Sequence, residues 1–487
     1  MRILYIDIDT LRADHLGCYG YHRDTSPNID RIAGQGVRFT ECYNSDAPCL
    51  PSRTALWSGR CGFHTGVVNH GGTAAEPFIE GPERGFRDTF DATSWMSALR
   101  KIGLRTVTVS PFGERHAAWH WYAGYNEVYN PGKGGNELGD DVTPYALDWI
   151  ARNASEDDWF LHVNYWDPHT PYRTPEGFGD PFEDDPLPDW LTEEVRRRGW
   201  QGYGPHSPQE PHGWGEETLH ERHPRIPAQL DSMEAVRQWI DGYDTGIRYA
   251  DEHVGRLLEA LDQAGVLDET VIMISSDHGE NQGELNVWGD HQTADVPTCR
   301  VPLIVRWPGV TERPRVDGGL HYHFDWAATL IELAGGTIPD NWDAEPFTEA
   351  FEEGATEGRD YLVTSQMAWS CQRGVRFDDY LCLQTYHDGY KDLPPVMLFD
   401  VENDPHEQND LAEEREDLVD QAMSQLSEWY RDMALTSEND VDPMMTVLRE
   451  GGPFHTRGRL TEYVERLRAT GRAEHAEKLI QQHPDEL

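Results

Sequence analysis

Three apolar runs, each long enough to form a buried strand, constrain this 487-residue chain most strongly. They lie at 3–8, 159–166 and 270–276, and amphipathic helical patterns such as the one at 232–262 alternate with them. Continuous apolar strands that alternate with helices are typical of α/β proteins. We therefore predict a large mixed sheet, mostly parallel, with helices on its faces.

The pattern changes at about residue 355. Short strand-like runs at 361–364, 373–377, 380–386 and 396–400 follow one another with no helical pattern between them. Consecutive strands of this kind indicate an antiparallel sheet. We predict a catalytic α/β domain over 1–355 and a smaller C-terminal subdomain over 356–487. Its terminal helices are expected at 414–435 and about 456–482.

An insertion is expected within the first domain, at about 173–232. This segment has few periodic apolar positions and many Pro, Gly, His, Trp and acidic residues. A segment this long without regular elements is usually functional or disordered, and we interpret it as shaping a substrate cleft. Trp190, Trp200 and Trp214 could stack on a sugar ring or could simply pack in the interior.

Acidic residues follow two of the predicted buried strands. Asp9 ends the first strand, and Asp277 and His278 end the strand at 270–276. Ligand sites in α/β sheets lie at the carboxyl ends of the strands, so these residues are expected to meet. Asp7 lies on the same strand face as Asp9. Oxygen ligands of this kind suit a hard divalent cation, Ca²⁺ or Mg²⁺, although Asp9 alone could equally be a helix N-cap.

A cysteine at a predicted helix start lies between these strands in the sequence. In Cys49-Leu-Pro51-Ser-Arg53, the proline favours the first turn of a helix, and Arg53 follows one turn later on the side of Cys49. A helix N-terminus with a nearby arginine favours an anion, such as a sulfate or phosphate ester. The plain alternative is a buried structural cysteine.

The motif Cys49-x-Pro-Ser-Arg-x5-Gly resembles the signature of the type I sulfatases. The Ser-Asp277-His278-Gly-Glu segment after a strand and the Pro-His169-x-Pro-Tyr segment also resemble that family. The resemblance implies an alkaline phosphatase-like fold and a divalent cation, Ca²⁺ ahead of Mg²⁺. It implies that the cation is held by Asp9, residue 49, Asp277 and His278, and Asp7 could complete that set.

The resemblance also implies a modified nucleophile. In type I sulfatases a formylglycine-generating enzyme oxidises the motif cysteine, here Cys49. One hydroxyl of the aldehyde hydrate would attack the sulfur of a sulfate ester, and loss of a proton from the other would expel sulfate. Arg53 would hold this hydroxyl and the metal region.

Three histidines are further candidates by the same resemblance. His116 matches the histidine of a Gly-Lys-x-His element, but Glu114 stands at the lysine position, and Arg115 could supply the charge instead. His169 would contact the sulfate group. His291 is the candidate replacement for a second family lysine that this chain lacks, and it could protonate the leaving alcohol.

Two other functions stay open at this point. A hydrolase of the same superfamily that cleaves phosphate or phosphonate esters would share the fold and metal. Thr10 follows Asp9 where many sulfatases have a second aspartate, which suits such relatives. A non-catalytic binding protein is the other candidate. Loss of the cysteine or of the Asp277-His278 pair would favour it, and neither is lost.

The charge of the chain limits its partners. Net charge is −46, from 87 acidic and 41 basic residues. Such a surface repels nucleic acid and anionic membranes, so we expect neither as a partner. A small-molecule or single-saccharide sulfate ester fits better than a long sulfated polyanion.

The cysteines, seven in number, are scattered without CxxC pairs, which indicates neither a disulfide framework nor a zinc site. No leader or membrane-span pattern is seen, so we expect a cytoplasmic protein.

The same composition predicts adaptation to high salt, because acidic residues are spread along the whole chain and only four lysines occur. Molar KCl screens the repulsion between these carboxylates. Thermal unfolding, monitored by circular dichroism, should therefore show a midpoint temperature that rises with KCl concentration. A midpoint that molar KCl leaves unchanged would contradict this hypothesis.

Overall fold

A computed structural model describes residues 1–79, 89–214, 218–311, 313–352 and 358–486. The strands are β1 (Arg2–Ile8), β2 (Val37–Phe39), β3 (Cys42–Tyr43), β4 (Asp46–Ala47), β5 (Arg105–Val109), β6 (Glu127–Tyr129), β7 (Trp159–Tyr165), β8 (Thr270–Ser275), β9 (Asn281–Gln282), β10 (Trp288–Asp290), β11 (Leu303–Arg306), β12 (Arg315–Asp317), β13 (His321–Tyr322), β14 (Tyr361–Gln366), β15 (Cys371–Phe377), β16 (Tyr380–His387) and β17 (Val396–Asp400). The predicted domain boundary at 355/356 lies outside the described residues.

The α-helices alternate with these strands through most of the chain. They are α1 (Pro27–Ala33), α2 (Cys49–Ser58), α3 (Gly62–Thr65), α4 (Thr89–Thr93), α5 (Trp95–Lys101), α6 (Phe112–Arg115), α7 (Gly139–Asn153), α8 (Glu193–Gln201), α9 (Leu219–Arg222), α10 (Met233–Gln263), α11 (Val296–Cys299), α12 (His323–Leu333), α13 (Glu349–Glu352), α14 (Glu416–Thr436), α15 (Pro443–Arg449), α16 (Leu460–Ala469) and α17 (Ala473–Gln482).

The main sheet has eight strands in the order β12-β2-β11-β8-β1-β7-β5-β6. β1 lies at its centre, parallel to β7 and β8, whereas β11 runs antiparallel to both of its neighbours. The apolar side chains of α10 and α7 pack on one face of the sheet, and those of α2, α5 and α12 pack on the other. The predicted mixed, mostly parallel sheet with helices on both faces is confirmed. Because β1 and β8 are neighbouring parallel strands, their carboxyl ends lie at the same edge of the sheet.

The second sheet has five strands in the order β17-β16-β15-β14-β4. β14 to β17 pair antiparallel, as the sequence predicted. β4 comes from the N-terminal part and pairs parallel with β14 through Asp46 and Ala47. Because β4 ends two residues before Cys49, the C-terminal sheet anchors the segment that carries the candidate nucleophile.

The last predicted helix is instead two helices. Gly471 adopts a φ of 78° between α16 and α17, a conformation that favours glycine and ends a helix. The two helices pack together and cover Trp214 of the insertion, whose ring centroid lies 3.7 Å from that of Tyr463. Trp190 stacks on His406 at 4.2 Å. Trp190 therefore has a packing role, and Trp214 packs on Tyr463.

The cysteines in the structure are all free thiols, as the odd, scattered set predicted. Among the described residues, no helix has both the length and the apolar character that a membrane span requires.

Candidate active site

Four buried side chains meet at the carboxyl edge of the main sheet. Asp9 follows β1, Asp277 and His278 follow β8, and Cys49 is the first residue of α2. One potential ligand atom from each lies within 4.8 Å of the others. All four residues are at most 2% exposed. The structure thus brings together the residues that the sequence placed at the two strand ends and the helix start.

Arg53 lies between the carboxylates of this cluster. It donates from Nη2 to Asp9 Oδ2 at 2.9 Å and forms an ion pair with Asp277 Oδ2 at 3.2 Å. Its Nη1 forms an ion pair with Asp7, whose Oδ2 also lies 3.1 Å from His162 Nε2. Asp7 therefore contacts Arg53 and His162, and it lies outside the four-residue group that could hold an ion.

The cluster has the charge and the free atoms that a divalent cation requires. Three buried carboxylates, of Asp7, Asp9 and Asp277, face the single guanidinium of Arg53. Buried charge without a counter-charge is costly. Asp9 Oδ1 also has no hydrogen-bond partner. A divalent cation would balance the excess negative charge, so the residues present fit the group.

His278 is oriented with one ring nitrogen toward the cluster. Its Nδ1 lies 2.8 Å from the carbonyl of Gly279, which fixes that nitrogen as the protonated one. Nε2 lies 3.3 Å from Cys49 Sγ and carries the lone pair whenever the ring is neutral. A neutral imidazole held in this tautomer is a typical metal ligand.

Electrostatics in the cluster follow from burial and from the close carboxylates. Burial, and then Asp277, raises the pKa of Asp9 well above its usual value. Burial also opposes ionisation of Asp277, but Arg53 and His278 outweigh it and lower the pKa of that carboxyl to about 2. Burial, followed by Asp9 and Asp277, raises the pKa of the Cys49 thiol well above its usual value. An unmodified Cys49 is thus held as a thiol.

A cavity of about 610 Å³ opens onto Cys49. His116, His169 and His291 all line it, so the structure gathers the three predicted histidines around the predicted nucleophile. The rings of His278 and His291 lie 4.2 Å apart, and those of His169 and His291 lie 5.9 Å apart.

The three histidines are held neutral by their surroundings. Burial, followed by Arg115, lowers the pKa of both His116 and His169 well below the usual value. Burial and His278 lower the pKa of His291 to about 3. A bound anionic ester would raise these pKa values, because negative charge stabilises the imidazolium form.

Arg115, and not Glu114, lines the cavity. Arg115 lies over the ring of Trp166 at 4.7 Å. Glu114 accepts a hydrogen bond from Asn130 and is exposed. The positive charge beside His116 is thus supplied by the residue after the one that replaces the family lysine.

Several residues of the cavity wall were missed by sequence reasoning, among them two histidines and a tryptophan. His70, Trp369 and His455 line the cavity, and His70 Nδ1 lies 2.9 Å from His455 Nε2. The ring of Trp369 stacks on His455 at 4.5 Å. Two of the three come from the C-terminal part of the chain. No local pattern marks them, because only the tertiary packing brings them to the site.

The chain matches two family models. A model described as sulfatase matches residues 2–336, and a model described as N-sulphoglucosamine sulphohydrolase, C-terminal, matches residues 283–432. The first spans more than half of the chain, and the second covers most of the C-terminal sheet.

Relatives and solved structures agree with these matches. An N-acetylglucosamine-6-O-sulfatase from Bacteroides thetaiotaomicron is 24% identical, with 92% of this chain and 89% of the relative covered. A structure solved in complex with its substrate D-glucosamine-2-N,6-O-disulfate superimposes with a TM-score of 0.67 at 20% identity, covering 91% and 99% of the two chains. A phosphonate monoester hydrolase from Silicibacter pomeroyi gives 0.65 at 19% identity, covering 92% and 97%. At these identities, the structural likenesses show the fold alone.

Proposed function

Since the chain belongs to the sulfatase family, we propose that it hydrolyses the sulfate monoester of a small molecule or saccharide, with residue 49 converted to formylglycine. The observation that carries the proposal is the position of Cys49. It begins α2 inside a buried cluster of Asp9, Asp277 and His278, at the base of an open cavity. As a formylglycine hydrate, residue 49 would supply a nucleophilic hydroxyl.

Asp9, Asp277, His278 and the modified residue 49 would hold a divalent cation, which we propose is Ca²⁺, with Mg²⁺ as the alternative. Such an ion supplies Lewis-acid polarisation of the ester oxygens. Asp7 would act at one remove, by holding Arg53 through its ion pair. This differs from a direct ligand role for Asp7, which remains a prediction.

The surrounding side chains would bind the ester and move protons. Arg53 pairs with Asp9 and Asp277, and its fixed positive charge would help to hold an anionic ester near residue 49. Arg115 and His169 line the cavity where the sulfate oxygens would lie. His116 Nε2 has no hydrogen-bond partner and is free to accept a proton from the hydrate. His291 also lines the cavity, and once protonated it would donate a proton to the departing alcohol.

Sulfate esters are favoured over phosphonate esters because the family model covers 2–336 and describes sulfatases. The phosphonate hydrolase likeness concerns the fold alone. The buried excess of carboxylates also suits the single negative charge of a sulfate monoester better than the double charge of a phosphate monoester.

An assay on matched aryl esters tests this function. Protein produced with a formylglycine-generating enzyme should hydrolyse 4-nitrophenyl sulfate. Its kcat/KM should be at least about 100-fold above the value for 4-nitrophenyl phosphate or for 4-nitrophenyl phenylphosphonate. The same preparation, made without the modifying enzyme, is the matched control and should be inactive. A preference for either phosphorus ester would favour the alternative hydrolase.

A further inference from the structure

Two arginines converge on one carbonyl beside the active-site cavity. Arg115 Nη1 donates to the carbonyl of Gly135 at 3.3 Å, and Arg173 Nη1 donates to the same oxygen at 3.1 Å. The two guanidinium groups are therefore neighbours and repel each other. Both line a second cavity of about 360 Å³, which shares Arg115, His169, Thr170, Asp290 and Trp369 with the cavity over Cys49. The Asp290 carboxylate in this shared wall is paired with His206 at 3.0 Å.

Neither guanidinium forms an ion pair with a carboxylate anywhere in the described ranges, in a chain with 87 acidic residues. Nε and Nη2 of Arg173 are buried and have no hydrogen-bond partner there either. Burial, with a smaller effect of Arg115, lowers the pKa of Arg173 from its usual value. Arg115 is exposed to water and lies over the ring of Trp166, but the buried part of the Arg173 guanidinium is costly unless an anion pairs with it.

The carboxylates whose fields reach Arg173 are already used elsewhere. Asp167 accepts the backbone amide of Gly139 at 3.0 Å. Glu137 accepts the backbone amides of Lys133 and Gly135. Asp9 is held by Arg53. These carboxylates make no direct contact with Arg173, and a bound anion would supply the direct partner that it lacks.

We propose that Arg115 and Arg173 form a second anion subsite, so that the preferred substrate is a saccharide with another anionic group beside the scissile sulfate. This inference rests on the proposed function and specifies its substrate class. Arg115 lines both cavities and would link the two anions, whereas Arg173 lines only the second cavity. The second anion is a sulfate or a carboxylate, since guanidinium groups bind both in the same bidentate manner.

Binding to the Cys49→Ala protein tests the subsite without turnover. Isothermal titration calorimetry would compare three ligands: N-acetylglucosamine 6-sulfate, glucosamine 2-N,6-O-disulfate, and a uronic acid-containing disaccharide of N-acetylglucosamine 6-sulfate. At least one of the two ligands with a second anion should bind about 10- to 100-fold more tightly than the monosulfate. Whichever does so identifies the second anion as sulfate or carboxylate.

Arg173→Gln in the same background should reduce this affinity ratio by about 10-fold or more. Arg431→Gln removes an equal charge from the exposed face of α14 and serves as the matched control. If the Cys49→Ala protein that keeps Arg173 bound all three ligands with equal affinity, the inference would be overturned. It would also be overturned if Arg173→Gln left the affinity ratio between the ligands unchanged. Because the measurement needs no hydrolysis, failure of the aryl sulfate assay leaves this result interpretable.

Discussion

Cys49→Ala should abolish sulfate ester hydrolysis while the protein still folds. Removal of a catalytic nucleophile typically lowers kcat by about 10⁴-fold or more. Cys49 belongs to the hydrophobic core beside Asp9 and Asp277, but only one buried sulfur atom is lost, so we expect a stability cost of about 1 to 2 kcal/mol. Steady-state assays on 4-nitrophenyl sulfate, with circular dichroism melting of the same samples, measure both effects.

Cys382→Ala is the matched control for this variant. Cys382 is an equally buried free thiol, but it lies in β16 of the second sheet. It should lose a similar amount of stability and keep its activity. Residual hydrolysis by Cys49→Ala above about one part in a hundred of the parent rate would mean that the nucleophile is another group.

Asp277→Asn should remove the cation and with it most of the activity. The substitution keeps the shape of the side chain but deletes one of the carboxylates that face Arg53 and its neighbours. A ligand that binds only the folded state stabilises it by about 2.7 kcal/mol at a concentration 100-fold above its Kd. Parent protein stripped with EDTA should therefore melt higher after Ca²⁺ is added back, and Asp277→Asn should show no such rise. We expect kcat/KM to fall about 10³-fold.

Asp251→Asn separates loss of the cation from loss of stability. Asp251 is another buried carboxylate. It lies in α10, outside the cluster of Asp9 and Asp277, and accepts hydrogen bonds from the backbone amides of Asn28 and Ile29 at about 3 Å. This variant should melt lower, by a similar amount with and without Ca²⁺. An Asp277→Asn protein that still gains the full Ca²⁺-dependent rise would show that the cation lies elsewhere.

Local sequence patterns predicted the main sheet and the meeting of Asp9 with Asp277 and His278, whereas the roles of these residues came from the resemblance to the sulfatases. The strands before Asp9 and Asp277 are short, fully buried runs, and burial on both faces makes such strands visible as uninterrupted apolar residues. Because β1 and β8 are adjacent and parallel, their ends necessarily coincide. The position of Cys49 at a helix start followed from the proline two residues later.

The remainder depends on contacts between distant segments. The pairing of β4 with β14 joins the C-terminal sheet to the loop before Cys49. No sequence pattern in β4 or β14 predicts this pairing. His455 reaches the cavity only because the chain after α15 folds back over Trp369. Asp7 was grouped with Asp9 by strand alternation, but alternation does not reveal the arginine from α2 that it meets. The cytoplasmic location and the adaptation to high salt stay predictions.

The chemical state of residue 49 decides whether this protein uses a formylglycine nucleophile. Peptide mass spectrometry would be applied to active protein from cells that contain a formylglycine-generating enzyme, with a hydrazide reagent to trap aldehydes. If residue 49 is formylglycine, the peptide that carries it is lighter by the mass difference between cysteine and formylglycine and reacts with the hydrazide. Fully active protein in which residue 49 is entirely unmodified cysteine would contradict the use of a formylglycine nucleophile.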